Sequence, residues 1–283
     1  MQRVLSTYLF VHRKLTSELL GEVAGAGIPA VEIFSARAHF DYREPQEARE
    51  LAGALEAHRL TLHAVHAPTE RDVTATRESG VPLSISDPER IRRLDAVDEV
   101  KRALDLAELV PFRYLVQHVG SSRDRMDPRK WDAAFNSLEH LMLFAKHRGV
   151  TIALENTPGG LATPANLRQF ITETRLHDLR LCFDTGHAHM EDGVGPGFET
   201  MRELVVTTHV HDNRGEKDEH LLPYEGTIDW DAAVKLLAGN PIVLELKEQA
   251  AAASPFEPAS VSQALQGARG VFEKFEQLLA TTA

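Results

Sequence analysis

The stretch from His209 to Trp230, HVHDNRGEKDEHLLPYEGTIDW, concentrates side chains that can hold a cation. It contains His209, His211 and His220 together with six carboxylates. A solvated loop could carry such charge but would not need three histidines so close together. Imidazole nitrogen and carboxylate oxygen together suit Zn²⁺, Mn²⁺ or Co²⁺ better than Ca²⁺. The same residue types recur upstream in LHAVHAP (His66), LVQHVGSS (His118), IALENTPGG (Glu155) and CFDTGHAHM (Asp184, His187). They return downstream in IVLELKE (Glu245).

The elements that carry these residues follow from hydropathy. Short Val/Ile/Leu-rich runs, as expected of strands buried on both faces, read at Val4–Leu9, Ala30–Phe34, Leu60–His66 and Tyr114–His118. Four more read at Thr151–Glu155, Arg180–Asp184, Val205–His211 and Ile242–Leu246. Helical patterns fill the gaps. Thr16 precedes one that stops at Gly27 and Pro29, and Pro45 opens another. Asp87-Pro88 is expected to start a long helix through Leu109. Asp127-Pro128 and Thr163-Pro164 repeat the device of an N-cap followed by proline. Asp229 caps a helix through Leu237, and the last runs from about Ser260 to Leu279.

Strands alternating with helices imply a parallel sheet with right-handed crossovers. Eight such units in 283 residues predict an α/β fold, a closed (β/α)8 barrel forming a single domain over 1–283. An open doubly wound sheet would want a glycine-rich phosphate loop after the first strand, and LSTYLFVHRK has none. In such a barrel, chemistry sits at the C-terminal strand ends. Strands three to eight finish on His66, His118, Glu155, Asp184, His211 and Glu245, and Glu32 lies near the end of strand two. Each alone has a structural explanation. Six converging on one mouth do not, because packed carboxylates raise one another's pKa unless a cation sits among them. His63 lies just below His66 on its strand, and His209 shares a strand face with His211, so either could orient a ligand from behind. Cys182 shares a face with Asp184 but reads as core.

Composition narrows the partners. A net charge of −11 disfavours polyphosphate, so nucleic acid is not an expected partner. One cysteine among 283 residues rules out an internal disulfide and fits a reducing cytoplasm. No apolar run reaches the roughly 18 residues of a membrane helix, and MQRVLSTYLFVHRKL has no signal-peptide pattern. The connection Pro68–Ser86 is long for a loop between a strand and a helix, as loops that close over sites often are.

With LENT, FDTGH, the HxHDN segment and the LE of strand eight in place, the chain resembles the xylose isomerase-like TIM barrel superfamily over essentially its whole length. That group joins sugar isomerases and epimerases with endonuclease IV. The resemblance implies a divalent ion (Mn²⁺, Zn²⁺, Co²⁺ or Mg²⁺) held by Glu155, Asp184, His211 and Glu245, with a sugar or sugar phosphate as substrate. Glu155 and Glu245 would move a proton through a metal-stabilised enediolate. His187, Arg214, Lys217 and Glu32 are the expected substrate contacts, and a homo-oligomer is expected. The resemblance also implies an alternative. An endonuclease IV-like phosphodiesterase cutting at abasic sites would add His66, His118, His187, Asp218 and His220 as ligands of two or three zinc ions. Against it, the loops after His66 and His118 mix Arg71, Arg77, Arg123 and Arg125 with Glu70, Asp72, Glu78, Asp124 and Asp127, a weak phosphate track.

Overall fold

A computed structural model of the protein describes residues 1–71, 81–121, 124–248, 250–251, 254–258 and 260–281. Asp72, Arg77, Glu78 and Arg123, considered above for phosphate contact, lie outside the described residues.

Eight strands close into one parallel barrel: β1 (Arg3–Ser6), β2 (Ala30–Phe34), β3 (Thr61–His66), β4 (Tyr114–His118), β5 (Thr151–Glu155), β6 (Arg180–Asp184), β7 (Val205–Val210) and β8 (Ile242–Leu244). Each pairs with its neighbours in sequence, and β1 closes on β8 with Leu5 opposite Leu244. The helices are α1 (Ser17–Gly25), α2 (Pro45–His58), α3 (Arg90–Asp105), α4 (Pro128–Lys146), α5 (Pro164–Thr174), α6 (Thr185–His189), α7 (Val194–Met201), α8 (Trp230–Leu236) and α9 (Val261–Ala280). Among the described residues no helix is long and apolar enough to cross a membrane.

The core has two parts because every strand buries both faces. Inside the barrel, Val4, Ala30 and Val243 form one apolar cluster; Ala64, Tyr114, Val116, Ala153 and Cys182 form another. The larger cluster lies between strands and helices, where Leu5, Val31, Ile33, Leu115, Leu154, Leu181 and Phe183 meet Leu20, Leu55, Leu104, Leu138, Phe170 and Phe272. Alternation therefore sends the inward residues of each strand up a column that is mostly apolar below, save for the buried pair His63 and Thr207, and polar at the top.

Helix starts follow local chemistry. Thr16, Asp127, Thr163 and Asp229 each accept a backbone N–H in the first turn, and Ser260 and Gln263 form a reciprocal capping box. Three details depart from expectation. The first strand stops at Ser6, whose side chain caps a 3-10 turn over Thr7–Phe10, instead of reaching Leu9. Asp87 accepts from the N–H of Glu89, so Asp87-Pro88 makes a turn and α3 begins at Arg90. Helix α7, spelled VGPGFETM, has no polar cap and a poor helix composition, which hid it. A two-stranded antiparallel ribbon, residues 250–251 with 254–258, precedes α9.

Phe275 of α9 is fully buried and stacks on Trp230 at 5.5 Å between ring centroids. Phe275→Ala is expected to cost about 3–5 kcal/mol. Urea unfolding should show it as a lower midpoint at unchanged slope.

Candidate metal centre

Sheet register decides which polar residues meet. His118 pairs with Glu155, Glu155 with Cys182, Asp184 with His209, and His209 with Val243. Each step around the barrel climbs, so Asp184 stands one inward position above the level of Glu155, with His209 beside it. Glu245 lies two residues past Val243 and points inward with it.

The result is a group of four buried residues, Glu155, Asp184, His209 and Glu245, whose ligand atoms all lie within 4.8 Å of one another. His209 Nδ1 is 3.1 Å from Glu155 Oε2, 3.5 Å from Glu245 Oε2 and 4.0 Å from Asp184 Oδ2. The histidine expected in this set was His211. It is His209 whose ligand atom lies within this set, because both histidines share one face and the sheet register sets His209 beside Asp184. His211 reaches Asp184 Oδ2 at 3.1 Å and belongs to a second group, His187, His211, Asp218 and His220. His66 and His118 both approach the same oxygen, Glu155 Oε2, at 3.3 and 3.1 Å.

The histidines are held in defined tautomers. A carbonyl oxygen can only accept, so each ring nitrogen bonded to one carries the proton. His66 Nδ1 donates to the carbonyl of Ala67, His187 Nδ1 to Asn156 and His220 Nδ1 to Glu245, at 2.8, 2.9 and 2.9 Å. Their Nε2 atoms face the carboxylates of Glu155 or Asp218. His209 reaches the same end by another route. Its Nε2 donates to Glu32 at 3.1 Å, leaving Nδ1 for the carboxylate group. Glu32 was expected to touch substrate. It is fully buried behind His209 and forms the carboxylate–histidine arrangement that orients metal ligands.

Local structure supports these placements. Asp184 also caps α6, accepting the N–H of His187 at 2.6 Å, which turns the His187 side chain back over the mouth. Asn156 ties β5 to β6 through both main-chain groups of Asp184. Gly186 leaves room for His211: a Cβ there would lie 2.0 Å from its ring.

Other expected contacts face elsewhere. Arg214 is exposed and held by Glu219 at 2.5 Å and the carbonyl of Glu225, so it does not enter the mouth. Lys217 is exposed on the same loop. His39 is buried away from the mouth and donates to the carbonyl of Arg13, as a structural histidine would. Cys182 is apolar core. Tyr8 was missed. It stands on the 3-10 turn after β1, its ring 5.0 Å from that of His220. Burial, with Glu245, Asp218 and Glu70 nearby, raises its pKa and keeps the phenol protonated. A tyrosine just past the first strand was the only sequence signal for it.

The electrostatics suit a cation. Burial pushes Glu155 up, but the imidazoles of His209 and His118 outweigh it and hold the carboxyl well below its ordinary range. Burial also opposes ionisation of Asp184, and His187 and His211 again win. Glu245 goes the other way: burial dominates, Glu155 adds to it, and its pKa is pushed up to about 7. Burial lowers His209 and His187, yet the surrounding acidic groups hold both well above 6.5. Glu155 Oε1, His209 Nδ1, His211 Nδ1 and Asp218 Oδ1 are buried and make no hydrogen bond of good geometry. Orphaned polar atoms of this kind, in a mixed nitrogen and oxygen set, fit a divalent transition ion that displaces the imidazole protons.

The family model for the xylose isomerase-like TIM barrel matches residues 20–267. The uncharacterized protein y4fM of Sinorhizobium fredii is 27% identical over 202 residues, covering 64% of this chain and 63% of that protein. An inosose dehydratase of Erwinia tasmaniensis is 30% identical over 156 residues, 46% of this chain and 52% of the dehydratase. Among solved structures, a D-tagatose 3-epimerase-like protein superposes with a TM-score of 0.78 at 21% identity over all of both chains. The IOLI protein with a bound zinc atom gives 0.77 at 16%, over 97% of this chain and 98% of that one. At those identities the two structures show the fold.

Two outcomes test the centre. Glu32→Gln should lower Zn²⁺ affinity about 10- to 100-fold while the fold persists, read by competition with a chromogenic chelator. Protons held by His209 and His187 must leave when an ion binds, so affinity should rise with pH through the neutral range. Calorimetry in two buffers of different ionisation enthalpy should show net proton release; none would mean that these histidines do not bind the ion.

Proposed function

This chain belongs to the xylose isomerase-like TIM barrel family, and on that premise we propose that it is a divalent-metal-dependent isomerase or epimerase of a small sugar. The observation that carries the reading is the carboxylate pair Glu155 and Glu245. They share one buried site, and their surroundings push their pKa values apart, one well down and the other up to about 7. Such divergence marks a base and an acid working together.

Glu155, Asp184, His209 and Glu245 would hold the ion. Once bound, it supplies Lewis-acid charge that polarises a substrate carbonyl and acidifies the adjoining C–H. Glu155, ionised at neutral pH, accepts the proton from carbon. Glu245, reaching the same space from a different strand, holds a proton that it can return. Tyr8, kept protonated by burial, offers a hydroxyl hydrogen bond to the substrate. The substrate is better read as an unphosphorylated sugar than as a sugar phosphate. Arg214 is tied to Glu219, Arg13 to Glu248, and Lys247 to the carbonyl of Asp218.

Removal of a proton beside a carbonyl also begins a dehydration, so the resemblance to inosose dehydratase is compatible with the same residues. The group His187, His211, Asp218 and His220 favours a second reading. With further ions there, and at His66 and His118, the mouth could activate water for phosphodiester hydrolysis. The acidic balance of −11 weighs against a DNA substrate.

Incubation with Mn²⁺ in D2O, using a panel of ketoses and inososes, is expected to place deuterium beside the carbonyl of at least one. Glu155→Gln and Glu245→Gln should each slow that exchange by about 10²- to 10⁴-fold. No exchange in any sugar, together with nicking of abasic duplex in Zn²⁺, would move the assignment to hydrolysis.

A further inference from the structure

Asp212 follows directly on His211 yet serves a different purpose. It is fully buried. Its Oδ1 accepts the backbone N–H of Asn213 at 2.9 Å and of Ile228 at 3.2 Å. Its Oδ2 accepts the N–H of Tyr224 and of Gly226, both at 3.0 Å, and the indole Nε1–H of Trp230 at 2.7 Å. Its own main chain pairs in both directions with Leu221, at 2.9 Å each way. One side chain therefore gathers both ends and the middle of the excursion 213–230.

That excursion carries Asp218 and His220 to the mouth. It does so in a conformation an untethered chain would not favour, since His220 and Tyr224 have φ of 49° and 79°, in the left-handed region that suits glycine. The tether also fills the space around it: a Cβ on Gly226 would lie 2.2 Å from Asp212 Oδ1.

We infer that Asp212 is the positioning residue of the second cation position. Through the amides of the excursion it sets where Asp218 and His220 stand against His187 and His211. The inference rests on the second reading above, in which the group His187, His211, Asp218 and His220 also takes a cation. Asparagine is nearly isosteric, but its NH2 would face N–H donors and could accept none of them. The excursion then relaxes and the second position loses its geometry. The group Glu155, Asp184, His209 and Glu245, carried by β5, β6, β7 and the residue after β8, keeps its own.

The test is Zn²⁺ and Co²⁺ binding to the full chain, by metal analysis after dialysis against graded chelator and by Co²⁺ visible spectra. Wild type is expected to show two classes of site. Asp212→Asn should weaken the second class about tenfold or more and leave the first within about twofold. Trp230→Phe removes one donor only and decides the matter if Asp212→Asn does not fold; it should weaken the second class by a smaller factor. Both classes unchanged in the variants, or both weakened equally, would overturn the inference. A wild type with a single class overturns the two-position reading and the inference with it.

Discussion

Four carboxylates, Glu32, Glu155, Asp184 and Glu245, are buried together at one end of the barrel, none more than 3% exposed. Removing an anion from water costs several kcal/mol unless positive charge accompanies it. Much of the upper barrel supplies that charge. His209 stands between Glu32 and the other three, and His66, His118, His187 and His211 complete the ring. In the ion-free protein the compensation comes from protons held on His209 and His187. A divalent ion can take over from those protons, which makes the site's affinity a competition between metal and acid.

The barrel is what makes such a cluster sustainable. The layers below the mouth are largely apolar, from Cys182 and Val116 down to Val4 and Val243, and the polar groups among them pair with one another, His63 Nε2 with Thr207 Oγ1 at 3.0 Å. Closed parallel pairing leaves no strand edge to move, and register alone fixes the heights of Glu155, Asp184 and His209. The tautomers are fixed by carbonyls at or just past the strand ends, those of Ala67, Asn156 and Glu245. The same chain reversals that end the strands therefore orient the ligands.

How much of this the sequence discloses depends on range. The strands are legible because burial on both faces demands Val, Ile and Leu in short runs, and four of the eight begin and end where that pattern says. Most helix starts are legible because capping is local. The failures are non-local or depend on competition among neighbours. Asp87 could cap a helix or close a turn, and its bond to Glu89 decides for the turn. His209 and His211 are indistinguishable by alternation; only pairing with Asp184 separates them. Arg214 has the right position for a substrate contact, but Glu219, five residues on, claims it. Glu32 lies far from His209 in sequence, and no local pattern could join them.

Asp184 links the two ligand groups. Its Oδ2 lies 3.1 Å from His211 Nε2 and 4.0 Å from His209 Nδ1, while Oδ1 caps α6 and so places His187. Charge added in one group is felt in the other through a carboxylate common to both, and little solvent intervenes to screen it. Two cations on either side of that carboxylate would repel, yet each would also relieve the anionic burden that burial imposes on the other's ligands. The number of ions bound is therefore a property of the whole mouth. On the proposed reading, a single ion beside Glu155 and Glu245 would leave His187 and Tyr8 able to hold substrate oxygens and would suit proton transfer at carbon. Filling the second group takes those contacts away and presents a cationic face suited to a phosphodiester. One scaffold can thus be tuned between the two chemistries by the loop that carries Asp218 and His220, with the barrel strands unchanged.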